Sequence, residues 1–134
     1  MEKTLVLIKP DVVERGFIGD IISIYEKKGL NIIAMRMVQP DISLAKLHYE
    51  EHEGREYFER LIKFITRSPL VALVIEGKNV VEIVRRVNGN KDPLKQDMGS
   101  IRGKFALSET ENSVHSSDSP GHAKREIKIW FPEL

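Results

Sequence analysis

The chain contains no cysteine. That removes disulfides, thiolate nucleophiles and cysteine-ligated zinc, and it agrees with a reducing compartment. An excess of charge is missing too: 21 Lys+Arg against 20 Asp+Glu leave a formal net charge of +1. So balanced a chain has no global electrostatic pull toward nucleic acid or an anionic membrane, and any basic site must be local. Long apolar runs are absent. Thr4–Ile8 is too short for a secretory core, and nothing approaches the roughly 18 apolar residues of a membrane span. The cytoplasm is therefore the expected location. Aromatics are few, at 7%. The strand-like runs Thr4–Ile8 and Leu70–Ile75 hold none, which argues against a sheet that reads RNA by stacking. What remains is an ordinary globular composition, 41% hydrophobic and 31% charged over 134 residues. It suits one domain over 1–134 with a single core.

Periodicity divides that domain. Thr4–Ile8 is a continuous apolar run, the pattern of a strand buried on both faces, and Pro10 ends it. Ile18, Ile21, Ile22 and Tyr25 fall at helical spacing, with Gly29 as the stop. Asn31–Val38 reads as a second strand. Ser43 to His52 reads as a short helix capped by Ser43. Tyr57, Phe58, Leu61, Ile62 and Ile65 give the next helical face. Leu70–Ile75 is a third strand, and Val80, Val81, Val84 and Val87 mark a helix ending near Asn88-Gly89. Asn90 to Arg102 is a long loop, a length that in small domains usually carries function. Ser113-Val114-His115 is a short last strand, and Ala123, Ile127 and Trp130 mark a final helix ended by Pro132. The order predicts an α+β, ferredoxin-like fold: a four-stranded antiparallel sheet with helices packed on one face.

Several motifs carry chemistry. His48-Tyr49-Glu50-Glu51-His52 has the spacing of a zinc pair on one helix face, with Glu126 as a distant third ligand. The pattern arises easily by chance among charged residues, and a solvated helix face with one useful histidine is the better reading. Gly99–Phe105 resembles a phosphate loop and fails as one: the glycines are spaced wrongly and Phe105 stands where a hydroxyl would hold magnesium. Phosphate must then be bound by side chains. Arg85, Arg86, Lys91, Arg102 and Lys104 bracket the long loop, and arginine's planar fork suits phosphate. Lys9 at the end of a buried strand is either held by a partner or snorkels at a sheet edge. In Asn112–Ser119, His115 sits among Asn, small hydroxyls and an acid, with Glu126 eleven residues on. An imidazole there can accept a transferable group at neutral pH. The plainer reading is a surface histidine before a helix start at Ser117-Asp118-Ser119-Pro120.

Taken together these segments resemble the nucleoside diphosphate kinase family. The resemblance rests on Thr4–Asp11, Arg15-Gly16, Ile18-Gly19, His48-Tyr49, Ser68-Pro69, Glu76-Gly77, Ile101-Arg102-Gly103, Asn112–Ser119 and Glu126–Phe131, and it spans essentially the whole chain. It implies a ping-pong transfer of the γ-phosphoryl of a nucleoside triphosphate, typically ATP, to a nucleoside diphosphate through a phosphohistidine on His115. It also implies that Glu126 orients the imidazole, that Ser117 hydrogen-bonds near the histidine and the leaving phosphate, and that Tyr49 sits close to the γ-phosphate. Arg85 and Arg102 would bind the distal phosphates, with His52 a further contact. Lys9 and Asn112 would reach the ribose, Lys9 also nearing the transferring group, and Tyr57 would stack on the base. Magnesium would arrive bridging the phosphates, with few or no protein ligands.

Three residues depart from the family pattern. Lys91 stands where a threonine usually contacts phosphate, Tyr57 replaces a phenylalanine, and Ser116 replaces a glycine or alanine beside the histidine. Two other classes compete with the enzyme: a ferredoxin-like module binding RNA or a small ligand, and a regulatory protein acting on proteins or DNA. The set Lys9, Arg85, Arg102 and Asn112 favours the enzyme. By the same resemblance the assembly is a homo-hexamer, with a tetramer as the alternative, and no membrane or specific nucleic acid is a partner.

Overall fold

Strand β1 (Glu2–Ile8) fixes the architecture. From Thr4 onward every residue of it is buried, and its side chains alternate between two cores. Leu5 and Leu7 belong to one cluster, Val6 and Ile8 to another. The computed structural model describes residues 1–134 and runs β1, α1 (Pro10–Arg15), α2 (Ile18–Lys27), β2 (Asn31–Val38), α3 (Ile42–His48), α4 (Phe58–Thr66), β3 (Leu70–Gly77), α5 (Val80–Asn88), α6 (Ile101–Phe105), β4 (Val114–Ser116) and α7 (Pro120–Trp130). The sheet order is β2-β3-β1-β4 with every pairing antiparallel. This is the ferredoxin-like arrangement.

The helices cover both faces, not one. Residues Ala45 of α3, Phe58, Ile62 and Ile65 of α4, and Ile127 and Trp130 of α7 pack with Leu5 and Leu7. On the other side Val12 of α1, Ile21 and Tyr25 of α2, Val80 and Val84 of α5, and Ile101 of α6 pack with Val6 and Ile8. A strand with no polar alternation requires two covers, since successive side chains point to opposite faces.

Local chemistry moves several boundaries. Pro10 ends β1 and also starts α1, because a missing N–H costs nothing at the first helical position. The cap of α3 is Asp41, whose Oδ1 accepts from the Leu44 amide at 2.8 Å; Ser43 lies one residue inside the helix. That helix ends at His48, and Glu50–His52 form a separate 3-10 turn. Arg102, expected at the end of a loop, lies on α6, started by Ser100 Oγ accepting from the Gly103 amide at 3.0 Å. The glycine there is required: a Cβ on Gly103 would collide with the carbonyl of Asp97.

Tyr25 anchors α2 to α5. Its buried hydroxyl donates to Asn88 Oδ1 at 2.6 Å, and Asn88 Nδ2 has no partner of its own. Tyr25→Phe should therefore strand the whole Asn88 amide and cost about 1–3 kcal/mol. Urea unfolding should show a lower midpoint at unchanged slope.

Candidate active site

The end of β1, strand β4, the second turn of α7 and the loop after α5 meet around a cleft of about 930 Å³. His115, on β4, lines it. Its Nε2 lies 2.9 Å from Glu126 Oε1 of α7. The same oxygen accepts from Ser117 Oγ at 2.7 Å, and Ser117 Oγ in turn accepts from the Leu5 amide at 3.3 Å. A hydrogen-bond chain thus runs from the backbone of the central strand to the imidazole. Burial pushes the Glu126 carboxyl upward, but the hydrogen bond and charge of His115 and the bond from Ser117 outweigh it and hold Glu126 below its ordinary range. An ionised Glu126 accepts only, so it fixes the Nε2–H tautomer and leaves the lone pair on Nδ1. Ser117 is fully buried and acts on Glu126; its hydroxyl does not line the cleft.

His48 was not singled out in the sequence as part of this site. It is buried, its Nδ1 accepts from Trp130 Nε1 at 3.1 Å, and its ring stands edge-on to His115 with centroids 4.6 Å apart. Burial, then the neighbouring charges of His115 and Lys9, push its pKa well down. It is a neutral wall behind the His115 ring. His52 does not join it: its Nδ1 pairs with the Tyr57 hydroxyl at 2.8 Å. The 3-10 turn after His48 rotates the two histidines apart, so the zinc spacing does not become a zinc site. His48, His115 and Glu126 are the acid–imidazole group whose ligand atoms fall within 4.8 Å.

The basic residues converge. Lys9, Arg85, Lys91 and Arg102 all line the cleft, and none takes part in the molecule's seven ion pairs. Lys9 Nζ donates to Asn112 Oδ1 at 2.9 Å, and Asn112 Nδ2 donates to the Glu109 carbonyl at 2.7 Å. Burial, then repulsion from Arg102 and Lys91, lowers Lys9 to about 7. Arg102 spends one N–H each on the carbonyls of Asn112 (3.3 Å), Gly89 (2.6 Å) and Val114 (2.7 Å), which leaves two of its five donors. Burial lowers it to about 10. Lys91, exposed to the cleft, is lowered by partial desolvation there and then by Arg102 and Arg85. Near the His52–Tyr57 pair, Tyr57 is half-buried and lines the cleft. Tyr49 also lines it, and burial with Glu126 nearby keeps its phenol protonated.

The turn into β4 completes the geometry. Ser113 adopts φ +78°, a left-handed conformation uncommon outside glycine, and Asp11 Oδ2 holds its amide at 3.1 Å. The extended run at β4 gives no hint of this turn.

Comparison with known proteins agrees along the whole chain. The sequence model described as "Nucleoside diphosphate kinase" matches residues 2–134. A protein of that name from Clostridium perfringens (strain SM101 / Type A) is 54% identical over 134 residues, covering 100% of this chain and 94% of its own. One from Nocardioides sp. is 54% identical over 132 residues, 98% of each chain. Among solved structures, the Aquifex aeolicus nucleoside diphosphate kinase superposes with a TM-score of 0.93 at 34% identity, over 97% of this chain and 94% of that one. A nucleoside diphosphate kinase family protein from Babesia bovis gives 0.94 at 38% identity, over 99% and 90%. A histidine held by a carboxylate among unpaired cations is a phosphotransfer site in outline, and with these matches the chain belongs to the nucleoside diphosphate kinase family, phosphotransferases acting between nucleotides.

Proposed function

We propose that His115 is the nucleophile of a ping-pong reaction. Its Nδ1 attacks the γ-phosphorus of a nucleoside triphosphate, typically ATP. The bond to the bridging oxygen breaks and the nucleoside diphosphate leaves. A different nucleoside diphosphate then attacks the phosphohistidine and departs as the triphosphate. The observation that carries this reading is the Nε2–Glu126 bond, which presents the nucleophilic nitrogen within a cleft lined by the unpaired Lys9, Arg85, Lys91 and Arg102 among its basic residues. Phosphorylated at Nδ1 and protonated at Nε2, the ring is an imidazolium, and the ionised Glu126 stabilises it.

Phosphoryl transfer needs alignment and positive charge around the equatorial oxygens more than covalent assistance. Arg85, Lys91, Lys9 and the two free donors of Arg102 supply that charge. Tyr49 keeps its proton and is a donor near the γ-phosphate. Asn112 and Lys9 bind the ribose, and Tyr57, steadied by His52, gives the base a stacking face indifferent to its identity. Of the five acids lining the cleft, Glu126 is taken by His115 and Ser117, Asp118 pairs with His122 and Glu82 with Arg86, which leaves Glu51 and Glu109 as single carboxylates rather than a cluster. The remaining imidazole-rich group suits softer metals than magnesium. This donor set fits magnesium carried on the nucleotide phosphates, where it would neutralise their charge.

No helix is long and apolar enough to cross a membrane, and a cytoplasmic location follows from this reading. For assembly we propose a homo-hexamer. Strand β2 is a sheet edge with Ile33, Met35 and Met37 exposed, and Leu94 and Met98 are exposed on the loop after α5. Two separate apolar surfaces are what a closed assembly with two kinds of contact requires.

Incubation with γ-labelled ATP and magnesium should leave an acid-labile, alkali-stable label on the wild type and none on His115→Ala. Added GDP should discharge it as GTP. Glu126→Gln should retain labelling but lower kcat by about 100-fold; unchanged turnover would contradict the role of its charge. In free protein Lys9 is mostly neutral at pH 8, and bound phosphate favours its charged form. Nucleotide binding should then take up nearly one proton at pH 8 and much less at pH 6, read by calorimetry in buffers of different ionisation heat. Light scattering at micromolar concentration should give the hexamer, and a stable dimer or monomer refutes it.

A further inference from the structure

Lys91 joins Lys9, Arg85 and Arg102 in lining the cleft. Its placement is built rather than incidental. It lies two residues past Gly89, whose carbonyl takes the Arg102 Nη1 bond at 2.6 Å. Gly89 itself has φ +85°, and a Cβ there would strike Ser100. The base of the loop carrying Lys91 is thus clamped to the same guanidinium that grips the carbonyls of Asn112 and Val114 beside His115. Lys91 is exposed to the cleft, and no carboxylate pairs with it.

A lysine ammonium is a compact point charge that needs no particular geometry to meet a phosphate oxygen. A hydroxyl at this position would donate one hydrogen bond and bring no charge. The difference falls on the polyanion. A nucleoside polyphosphate without its divalent ion carries about two more negative charges into the cleft than its metal complex, and an added fixed cation favours that form more.

We propose that Lys91 supplies part of the neutralisation that a divalent ion otherwise brings, so that this cleft takes metal-free nucleoside di- and triphosphates as well as their metal complexes. The proposal rests on the reading that nucleotide phosphates enter here. The repulsion that Arg102 exerts on both Lys9 and Lys91 is relieved most by the most negative ligand.

Calorimetric titration with ADP, in EDTA and again in magnesium, tests this without turnover. Wild type should bind ADP in both buffers. Lys91→Thr should lose about tenfold in EDTA and several-fold less in magnesium, and Lys91→Arg should restore the EDTA affinity. Circular dichroism melting identifies any variant that fails to fold, and Lys91→Gln then stands in for Lys91→Thr. Equal losses in both buffers, no loss in either, or no rescue by arginine overturns the proposal while leaving the nucleotide site intact. Failure of the wild type to bind ADP even with magnesium overturns the site itself.

Discussion

The guanidinium of Arg102 is the joint on which the site depends. Three carbonyls converge on it from Gly89, Asn112 and Val114, and these belong to the loop after α5, the turn before β4, and β4 itself. No backbone ladder links those segments to one another, so a buried charge does the work of secondary structure. Bonds from a charged donor to neutral acceptors are stronger than amide–carbonyl bonds, and the short helix α6 delivers the side chain from one fixed direction. Gly103, next in sequence, can be nothing larger because the Asp97 carbonyl passes where a Cβ would be.

Placing Lys9, Arg85, Lys91 and Arg102 around one volume with none of them in an ion pair works against folding. The protein tolerates it partly by letting Lys9 fall to about 7, so that the most buried of the four is often uncharged while the cleft is empty. Sites of this kind are where a fold gives up stability for affinity. Three of the acids nearby are engaged elsewhere, Asp118 by His122, Glu82 by Arg86, and Glu126 by His115 and Ser117, and the pull of Asp118 and Glu109 on Lys91 is outweighed by partial desolvation and by Arg102 and Arg85.

Much of the architecture was legible. The run Thr4–Ile8 states in its composition that β1 is covered on both sides, and the expectation of helices on one face failed by not following that run to its conclusion. Asn31–Val38 and the helices at Val80 and Ala123 were readable because their periodicity is clean. Asp41 and Ser43 are both good caps two residues apart, and only the backbone path decides between them. The site was legible where chemistry is concentrated, around His115 and Glu126. It was not legible where contact depends on a turn: the 3-10 step after His48 turns His52 toward Tyr57, and the φ of Ser113 steers the chain into β4. His48, edge-on to His115, and Ser117, facing Glu126 instead of the cleft, are features of packing that no spacing encodes.

The sulfur chemistry of the chain is segregated. All four methionines are exposed: Met1, Met35, Met37 and Met98. With no thiol present, these thioethers are the protein's main targets for peroxide, and each would gain a polar oxygen in place of an apolar surface. Met35 and Met37 lie on the β2 edge and Met98 on the loop after α5, while the cleft itself holds no sulfur. Oxidative damage is thereby directed to the exposed β2 edge and the loop after α5, away from the cleft that holds the phosphotransfer residues.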